Sequence, residues 1–500
     1  MSVTLTVDTE RIKSFIIAYA DQHAMPLPGR LPNYRDFTVM LLPSDTTRAM
    51  VHDLYLEAAE KNGYASVCYS KFTQLWAETC PHINVMKPSS DLCPLCQQNM
   101  TRLTRASNLT EEEKSQRLQD FQQHLDHAKL QRQDYRDQCA LSAATYKELD
   151  AELQEPGQPA NTQDTTVHYS FDYLQQVHYP TDSQQASPVY FLTRRKCSVF
   201  IVSSESSGRS VFYLIDEAEN YGKGANATCS LFHHYLTAHG LGEKNLALHF
   251  DNCVGQNLNN TVMMYMMWRC MTGRHTTILV STMLAGHTKF WCDLAGGTFK
   301  RKWRKAKVAS MAQVAEVVQR STPGGHNVPQ LLPDARLFYE WSSFFSLVFR
   351  NIPNITKYHH FRFSAEEPGV VHLRQLVDQE EVAFQMLRRR NFTFTTGELP
   401  EPTANKGIPL DRQWYLYEKV RPYCPEETAD LVCPEPADPK PAAGAAAHQP
   451  GPAGDATATA AAAGQAKRAR PTCSHCKQAG HRRSNRGVVT CPQLTVTEGN

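Results

Sequence analysis

The sequence has almost no net charge. Its 52 Lys and Arg stand against 50 Asp and Glu, which leaves +2 at neutral pH. No global field draws in a polyanion, so any nucleic-acid binding must come from local patches. The chain also lacks a long hydrophobic run. Its most apolar stretch, near Thr261–Met271, is too short to cross a bilayer and contains Arg269, so no membrane partner is expected. No apolar h-region stands near the N-terminus, which makes a secretory signal invisible and an intracellular location the expectation. Cysteine, by contrast, is plentiful at 15. Several of these pair at Cys-x-x-Cys spacing, which in a reducing compartment points to zinc rather than to a disulfide framework.

At 500 residues the chain is long enough for about two to four units. Residues 1–90 carry helical patterns, with one helix from a Ser44-Asp45 cap to a stop at Gly63 and another over Tyr69–Thr79. Such a pair suits either a helix-turn-helix or two packed helices of a small bundle. Residues 91–155 open with Cys93-Pro-Leu-Cys96 and continue as a long helix behind the capping box Thr110-Glu-Glu-Glu113. Leu118, Phe121, Leu125, Ala128, Arg132, Tyr135 and Cys139 recur at threes and fours, a stripe for packing within the chain or for a homodimer. Residues 434–470 are rich in Ala, Pro and Gly and are expected to be a disordered linker. Residues 471–492 hold a compact metal motif.

The main domain is expected over 156–433. Strand-like segments are Val167–Tyr173, Val189–Arg194, Cys197–Val202 and Val211–Asp216. A helix over Ala225–His239, a strand over Leu246–Asp251, a buried helix over Asn260–Thr272 and a strand over Thr277–Leu284 follow. Further on, Ser310 opens a helix over Met311–Arg320. This is an α/β order, a three-strand meander followed by strands reached through helical crossovers, and it fits an RNase H-like mixed sheet with flanking helices. Asp172 and Asp251 share the polar side of strands assigned to the sheet centre, opposite the apolar alternation Val167, Tyr169, Phe171 and Leu246, Leu248, Phe250. Asp293 follows the last strand and opens a helix. Three such acids could hold Mg²⁺ or Mn²⁺ for phosphodiester chemistry. Asp216 and Glu217 compete for the role of Asp172, and His287 could be a ligand, a phosphate-positioning group or a turn histidine.

Two further features bear on partners. Phe299-Lys-Arg-Lys-Trp-Arg-Lys-Ala-Lys307 has six cations in nine residues. Phe299 and Trp303 lie four apart and could anchor a helix, leaving Lys300, Arg301, Lys302, Arg304, Lys305 and Lys307 for a DNA backbone next to Asp293. Near the C-terminus, Cys473, Cys476, His481 and Cys491 offer three thiolates and an imidazole, a zinc ligand set. Arg482 and Arg483 in its last loop would meet phosphate or single-stranded bases. A second zinc could sit on Cys93 and Cys96, with His124 or His127 and then Cys80 completing it. Lys467-Arg-Ala-Arg470 is a candidate nuclear-localisation signal of low specificity.

The motifs Asp251-Asn-Cys-Val-Gly-Gln-Asn257, Gly286-His-Thr-Lys289 with Asp293, and Ser170-Phe-Asp172-Tyr-Leu-Gln-Gln176 with Pro180 resemble a domain-of-unknown-function family of eukaryotic transposon-derived proteins. The resemblance extends from Ser90-Asp-Leu-Cys93-Pro-Leu-Cys96 to Arg412-Gln-Trp-Tyr-Leu-Tyr417 and covers roughly residues 30–435. It implies an RNase H-type transposase core, transposase ancestry, DNA as partner and a nuclear location. The alternatives are a domesticated DNA-binding protein without catalysis and an RNA-binding regulator centred on the C-terminal finger. The C-terminal motif resembles a zinc knuckle through His481, with a longer last interval.

Overall fold

A computed structural model describes residues 2–26, 39–85, 93–104, 110–332, 337–395, 397–441, 484–485 and 488–489. The chain divides into two units, 1–453 and 454–500. In the second, Ser484–Asn485 pairs antiparallel with Val488–Val489. The linker residues from 442 onward, the ligands Cys473, Cys476, His481 and Cys491, and the cations Arg482 and Arg483 lie outside the described residues.

The first unit begins with helices α1 (Ser2–His23), α2 (Arg48–Asn62) and α3 (Tyr69–Thr79). Thr47, rather than Ser44 or Asp45, caps α2: its hydroxyl accepts from the Met50 amide. Gly63 then ends the helix at φ +68°, a left-handed conformation that favours glycine. Ile12, Ile16, Val51, Tyr55, Phe72 and Trp76 interlock as a small core, so the two helices foreseen here belong to a bundle with a third.

Helices α4 (Pro94–Thr104) and α5 (Glu111–Glu148) follow. The capping box forms: Glu113 N donates to Thr110 Oγ1, and Thr110 N to Glu113 Oε2. The stripe on α5 faces inward. Phe121, Leu125, Ala128, Arg132 and Tyr135 are buried, whereas Leu118, at its solvent end, is 54% exposed. Tyr135 joins the core of the sheet, so the stripe is used within the chain.

Among the described residues the largest sheet is mixed and has nine strands. In chain order they are β1 (Gln163–Tyr179), β2 (Arg195–Ser204), β3 (Ser210–Asp216), β4 (Glu243–Phe250), β5 (Thr277–Thr282), β6 (Asn327–Leu331), β7 (His360–Ser364), β8 (Val370–Arg374) and β9 (Val382–Gln385). Their spatial order is β9-β8-β7-β5-β4-β1-β2-β3-β6. The meander β1-β2-β3 is antiparallel. Strands β4 and β5 run parallel to β1, reached through helices α6 (Ala225–Ala238) and α7 (Asn260–Met271). The pairing of the first and fourth strands at the centre is as read from the sequence. The edge strands β6 to β9 were not foreseen. The strand foreseen at Val189–Arg194 is instead a helical turn, Ser187–Tyr190, with Pro188 at its first turn. It sits in the β1–β2 connection and leaves Tyr190 77% and Phe191 79% exposed.

Both faces of the sheet are covered. Val167, Tyr169, Phe171, Leu246, Leu248 and Phe250 pack under α6, α7 and the Trp341–Phe349 segment. The other face carries Val199, Ile201, Phe212 and Leu214, under α5, α8 (Trp291–Trp303), α9 (Met311–Gln319) and a C-terminal segment with Leu416 and Val420. One extra residue in β1 between Leu174 and Val177 shifts the register against β2. Such a bulge reverses side-chain parity, so Val177 and Tyr179 join the second face although Val167 to Phe171 serve the first.

Candidate metal-binding acids and a Cys–His cluster

Asp172 and Asp251 stand at the same level of the sheet. The parallel β1/β4 ladder runs in register from Val167↔Leu246 to Phe171↔Phe250, and the two acids are the next residue on each chain. Asp293 sits in the first turn of α8. Its Oδ2 accepts from the Phe290 amide at 2.8 Å and its Oδ1 lies 3.7 Å from Lys289 Nζ. Asp251 Oδ1 accepts from the Cys253 amide at 3.1 Å and from Asn257 Nδ2. Asp172 Oδ1 accepts from the Tyr173 amide at 2.7 Å.

The three acids act on one another electrostatically. Burial pushes the Asp172 carboxyl well above the usual range, and the charges of Asp251 and Asp293 push it further, with Lys289 opposing. Burial also raises Asp251; the Cys253 amide and Asn257 lower it, and Asp293 raises it. The carboxylate oxygens nevertheless do not all lie within 4.8 Å of one another; among the described residues only a Cys–His group does. Two acceptors beside Asp251, Asn252 Oδ1 and Asn257 Oδ1, are buried without a hydrogen-bond partner. The three carboxylates offer the hard oxygen donors that Mg²⁺ or Mn²⁺ would take.

The alternates are placed elsewhere. Asp216 pairs with Arg195 at 2.5 Å and accepts from Tyr179. It lies beside Cys197, which pairs with Val177, five residues along β1 from Asp172. Glu217 binds Arg412 at 2.8 Å and accepts from the Lys196 amide. Glu217 thereby ties the C-terminal segment to the sheet, and Arg195, held by Asp216, donates to the Val432 carbonyl.

The polar side of β1 and β4 is not solvated as alternation suggested, because α5 covers it. His168, Ser170 and His249 are fully buried. His168 Nε2 and His249 Nδ1 share a 2.8 Å hydrogen bond, and Ser142 Oγ accepts from the His168 amide. Ser170 and Tyr135 donate to the half-buried carboxylate of Glu205, as does the Trp291 amide that opens α8. Burial holds His168 down at about 3, so it is neutral at pH 7. Sequence patterning missed this polar layer. A period-two pattern reports that a face is polar and does not reveal that a distant helix will cover it.

The Cys–His group consists of Cys93, Cys96, His124 and His287. Cys93 precedes α4 and Cys96 lies in its first turn. His124 comes from α5, and His287 from the loop after β5. Cys93 Sγ is 3.3 Å from His124 Nε2, Cys96 Sγ is 3.6 Å from His287 Nε2, and the two Nε2 atoms are 3.1 Å apart. The Cys96 thiol, donating to Cys93, pulls the Cys93 thiol strongly down, and burial opposes this only in part. The donor set is compatible with zinc. Cys80, foreseen as a ligand, is instead buried in the N-terminal helical core, and His127 is not in the group. His287 takes the place of Cys80, having been foreseen beside the acids. The substitution was illegible because 191 residues separate Cys96 from His287.

The basic run is only partly a helix. Phe299 is buried against Phe212 and Trp303, with ring centroids 5.7 Å apart in each pair. Lys300 Nζ donates to the Gln175 carbonyl at 2.8 Å, and burial followed by Arg304 pushes it down to about 8. Helix α8 ends at Trp303, so Arg304, Lys305 and Lys307 lie beyond it. Lys307 approaches Asp182 at 3.9 Å. Arg301, Lys302, Arg304, Lys305 and Lys307 are exposed. The run is not next to Asp293: seven residues of helix, about 10 Å at 1.5 Å each, separate that acid from Lys300.

Residues 195–378 match a family described as "Domain of unknown function (DUF7869)". The match contains Asp251, His287 and Asp293 and begins after Asp172 and the Cys93–His124 region. No curated protein and no solved structure matches the chain.

Proposed function

We propose that this protein is a transposase-like, metal-dependent phosphodiesterase of DNA, built on an RNase H-like core, with Asp172, Asp251 and Asp293 as its metal ligands. The observation that carries the reading is the juxtaposition of Asp172 and Asp251 at adjoining positions of parallel neighbours, with Asp293 within range of their charge. The order β3-β2-β1-β4-β5, antiparallel through the first three strands and parallel through the last, supports the RNase H-like assignment. Divalent ions bound there would supply a nucleophile at neutral pH and relieve charge on the leaving oxygen. The chain's own residues have separate tasks. Asn257 orients Asp251, the Phe290 amide orients Asp293, and Lys289 offers a cation to a phosphate at the site. The exposed cations Arg301 to Lys307 would hold the flanking backbone. The Cys473–Cys491 finger would add a second nucleic-acid contact, and the nucleus is the compartment this activity implies.

Cleavage of short duplexes and supercoiled plasmid with Mg²⁺ or Mn²⁺ tests the reading. Wild-type protein should nick or join strands, whereas Asp172→Asn and Asp251→Asn should not. Equal activity in these variants would locate the chemistry elsewhere.

A further inference from the structure

The loop that leads to Asp293 meets three devices: the Cys–His cluster, a close approach of backbones and a buried arginine. If Zn–S bonds are about 2.3 Å and Zn–N bonds about 2.05 Å, a tetrahedral site has edges of roughly 3.3 Å between nitrogens and 3.5 Å between sulfur and nitrogen. The observed separations are 3.1 Å for the two imidazoles and 3.3 and 3.6 Å for the sulfur–nitrogen pairs. Four protein donors leave no open position, which is the character of a structural zinc site. The local core gives a reason for one. Among the described residues, Phe121 and Leu125, the latter next to His124 on α5, are the apolar side chains clustered with Cys93 and Cys96. So small a cluster cannot by itself fix the start of α4.

The second device is a close approach of backbones. Gly286, at φ +79°, lies so near Cys93 that a Cβ would overlap the Cys93 Cα and come within 2.7 Å of its amide nitrogen. The neighbouring atoms are backbone, so they cannot move aside as a side chain would. The third device is Arg132, a buried residue of α5 whose guanidinium donates to the carbonyls of His287 at 2.5 Å and Lys289 at 2.6 Å. From Lys289 the chain passes to Phe290, whose amide binds Asp293, and to Trp291, whose amide binds Glu205.

We infer that Cys93, Cys96, His124 and His287 bind one Zn²⁺, and that this ion fixes the 286–290 loop and through it the position of Asp293. The zinc assignment stands on its own donors. The coupling to Asp293 as a metal-binding acid rests on the proposed function above.

The experiment uses the full-length chain with Cys473→Ser and Cys476→Ser, so that the C-terminal motif does not contribute metal. Zinc content, the visible spectrum after Co²⁺ exchange, and hydrogen exchange of residues 284–293 are measured. One zinc per chain and tetrahedral Co²⁺ bands with thiolate charge transfer are expected. His287→Ala should lose the ion, His287→Cys should keep it, and Cys80→Ser should leave it in place. The alanine variant should also show faster exchange over 284–293 and about tenfold weaker Mn²⁺ binding, the lower end of what loss of a supporting group costs a metal site. No zinc in the parent, or full zinc in His287→Ala, would overturn the site. Zinc lost with exchange unchanged would overturn the coupling. Absence of Mn²⁺ binding in every protein, with zinc and exchange behaving as expected, would sink the nuclease reading and leave the zinc-held loop standing.

Discussion

Asp172 and Asp251 stand one position beyond Phe171 and Phe250, the last registered pair of the parallel β1/β4 ladder. Two carboxylates at adjoining strand ends, with a third on the helix that follows β5, repel one another unless a proton or a metal intervenes. Burial, and after it that repulsion, raises Asp172 and makes the site measurable without any knowledge of substrate.

Removing one charge should therefore stabilise the metal-free protein. A carboxyl whose folded pKa is raised costs stability once the pH exceeds its unfolded value of about 3.9, and the cost is fully present above the folded value. Asp172→Asn should raise the melting temperature at pH 7 in EDTA, by about 2–4 °C for each kcal/mol of repulsion relieved. In excess Mn²⁺ the order should reverse, since the wild type gains more from the ion. Differential scanning calorimetry with and without metal reads both. An unchanged melting temperature in EDTA would mean that the acids do not strain the fold.

Metal affinity should climb with pH. Protons and Mn²⁺ compete for Asp172, which burial raises well above the ordinary value, and for Asp251, which burial raises from it. Binding should tighten through that raised range and level off once both groups are ionised. Titration calorimetry in several buffers should also detect proton release on binding at the lower pH values. A flat profile with no proton release would exclude these acids as the ligands.

Acid should destabilise the fold earlier than carboxylates alone would. Burial depresses His168 to about 3 and His360 to about 4, and His249 well below its ordinary value. The unfolded chain protonates these residues near pH 6.5 while the folded chain does not. Their contribution is intact above 6.5 and is lost as the pH falls towards the folded values. The slope approaches roughly 1.4 kcal/mol per pH unit for each histidine. Urea unfolding at pH 7, 6 and 5 measures it, and a His168→Gln variant should show a shallower slope than wild type.

The exposed part of the basic run should carry DNA affinity without carrying stability. Neutralising Arg301, Lys302, Arg304 and Lys305 together should weaken binding to any duplex and reduce the log–log salt slope by roughly one for each phosphate left without its cation. Lys300→Met should behave differently. Its amine is held on the Gln175 carbonyl, so melting temperature rather than salt slope should respond. Fluorescence anisotropy across a salt series separates the two, and an unaltered slope in the fourfold variant would mark the run as a solvated surface.

Much of the central architecture could be read in the order of residues. Alternation in Val167–Phe171 and Leu246–Phe250 announced strands with one apolar face, and the largely apolar Asn260–Met271 announced a buried helix. The positions of Asp172 and Asp251 at one level followed from strand order, because parallel neighbours bring equivalent strand ends together. These features are local, or follow from connection rules, so they survive without coordinates.

What the tertiary structure alone decided are the long-range encounters. Local pattern made α5 a striped helix but could not say that it would lie over His168 and His249 and turn a polar face into a buried hydrogen-bonded layer. It marked Cys93 and Cys96 as ligands but chose Cys80, nearby in sequence, over His287, which is 191 residues from Cys96. It grouped six cations into one helix, whereas the chain leaves the helix at Trp303 and anchors Lys300 on β1. Periodicity and spacing encode which faces are apolar and where the chain turns. Which distant surfaces meet is set by packing the whole chain at once, and that choice places His287 beside the cysteines.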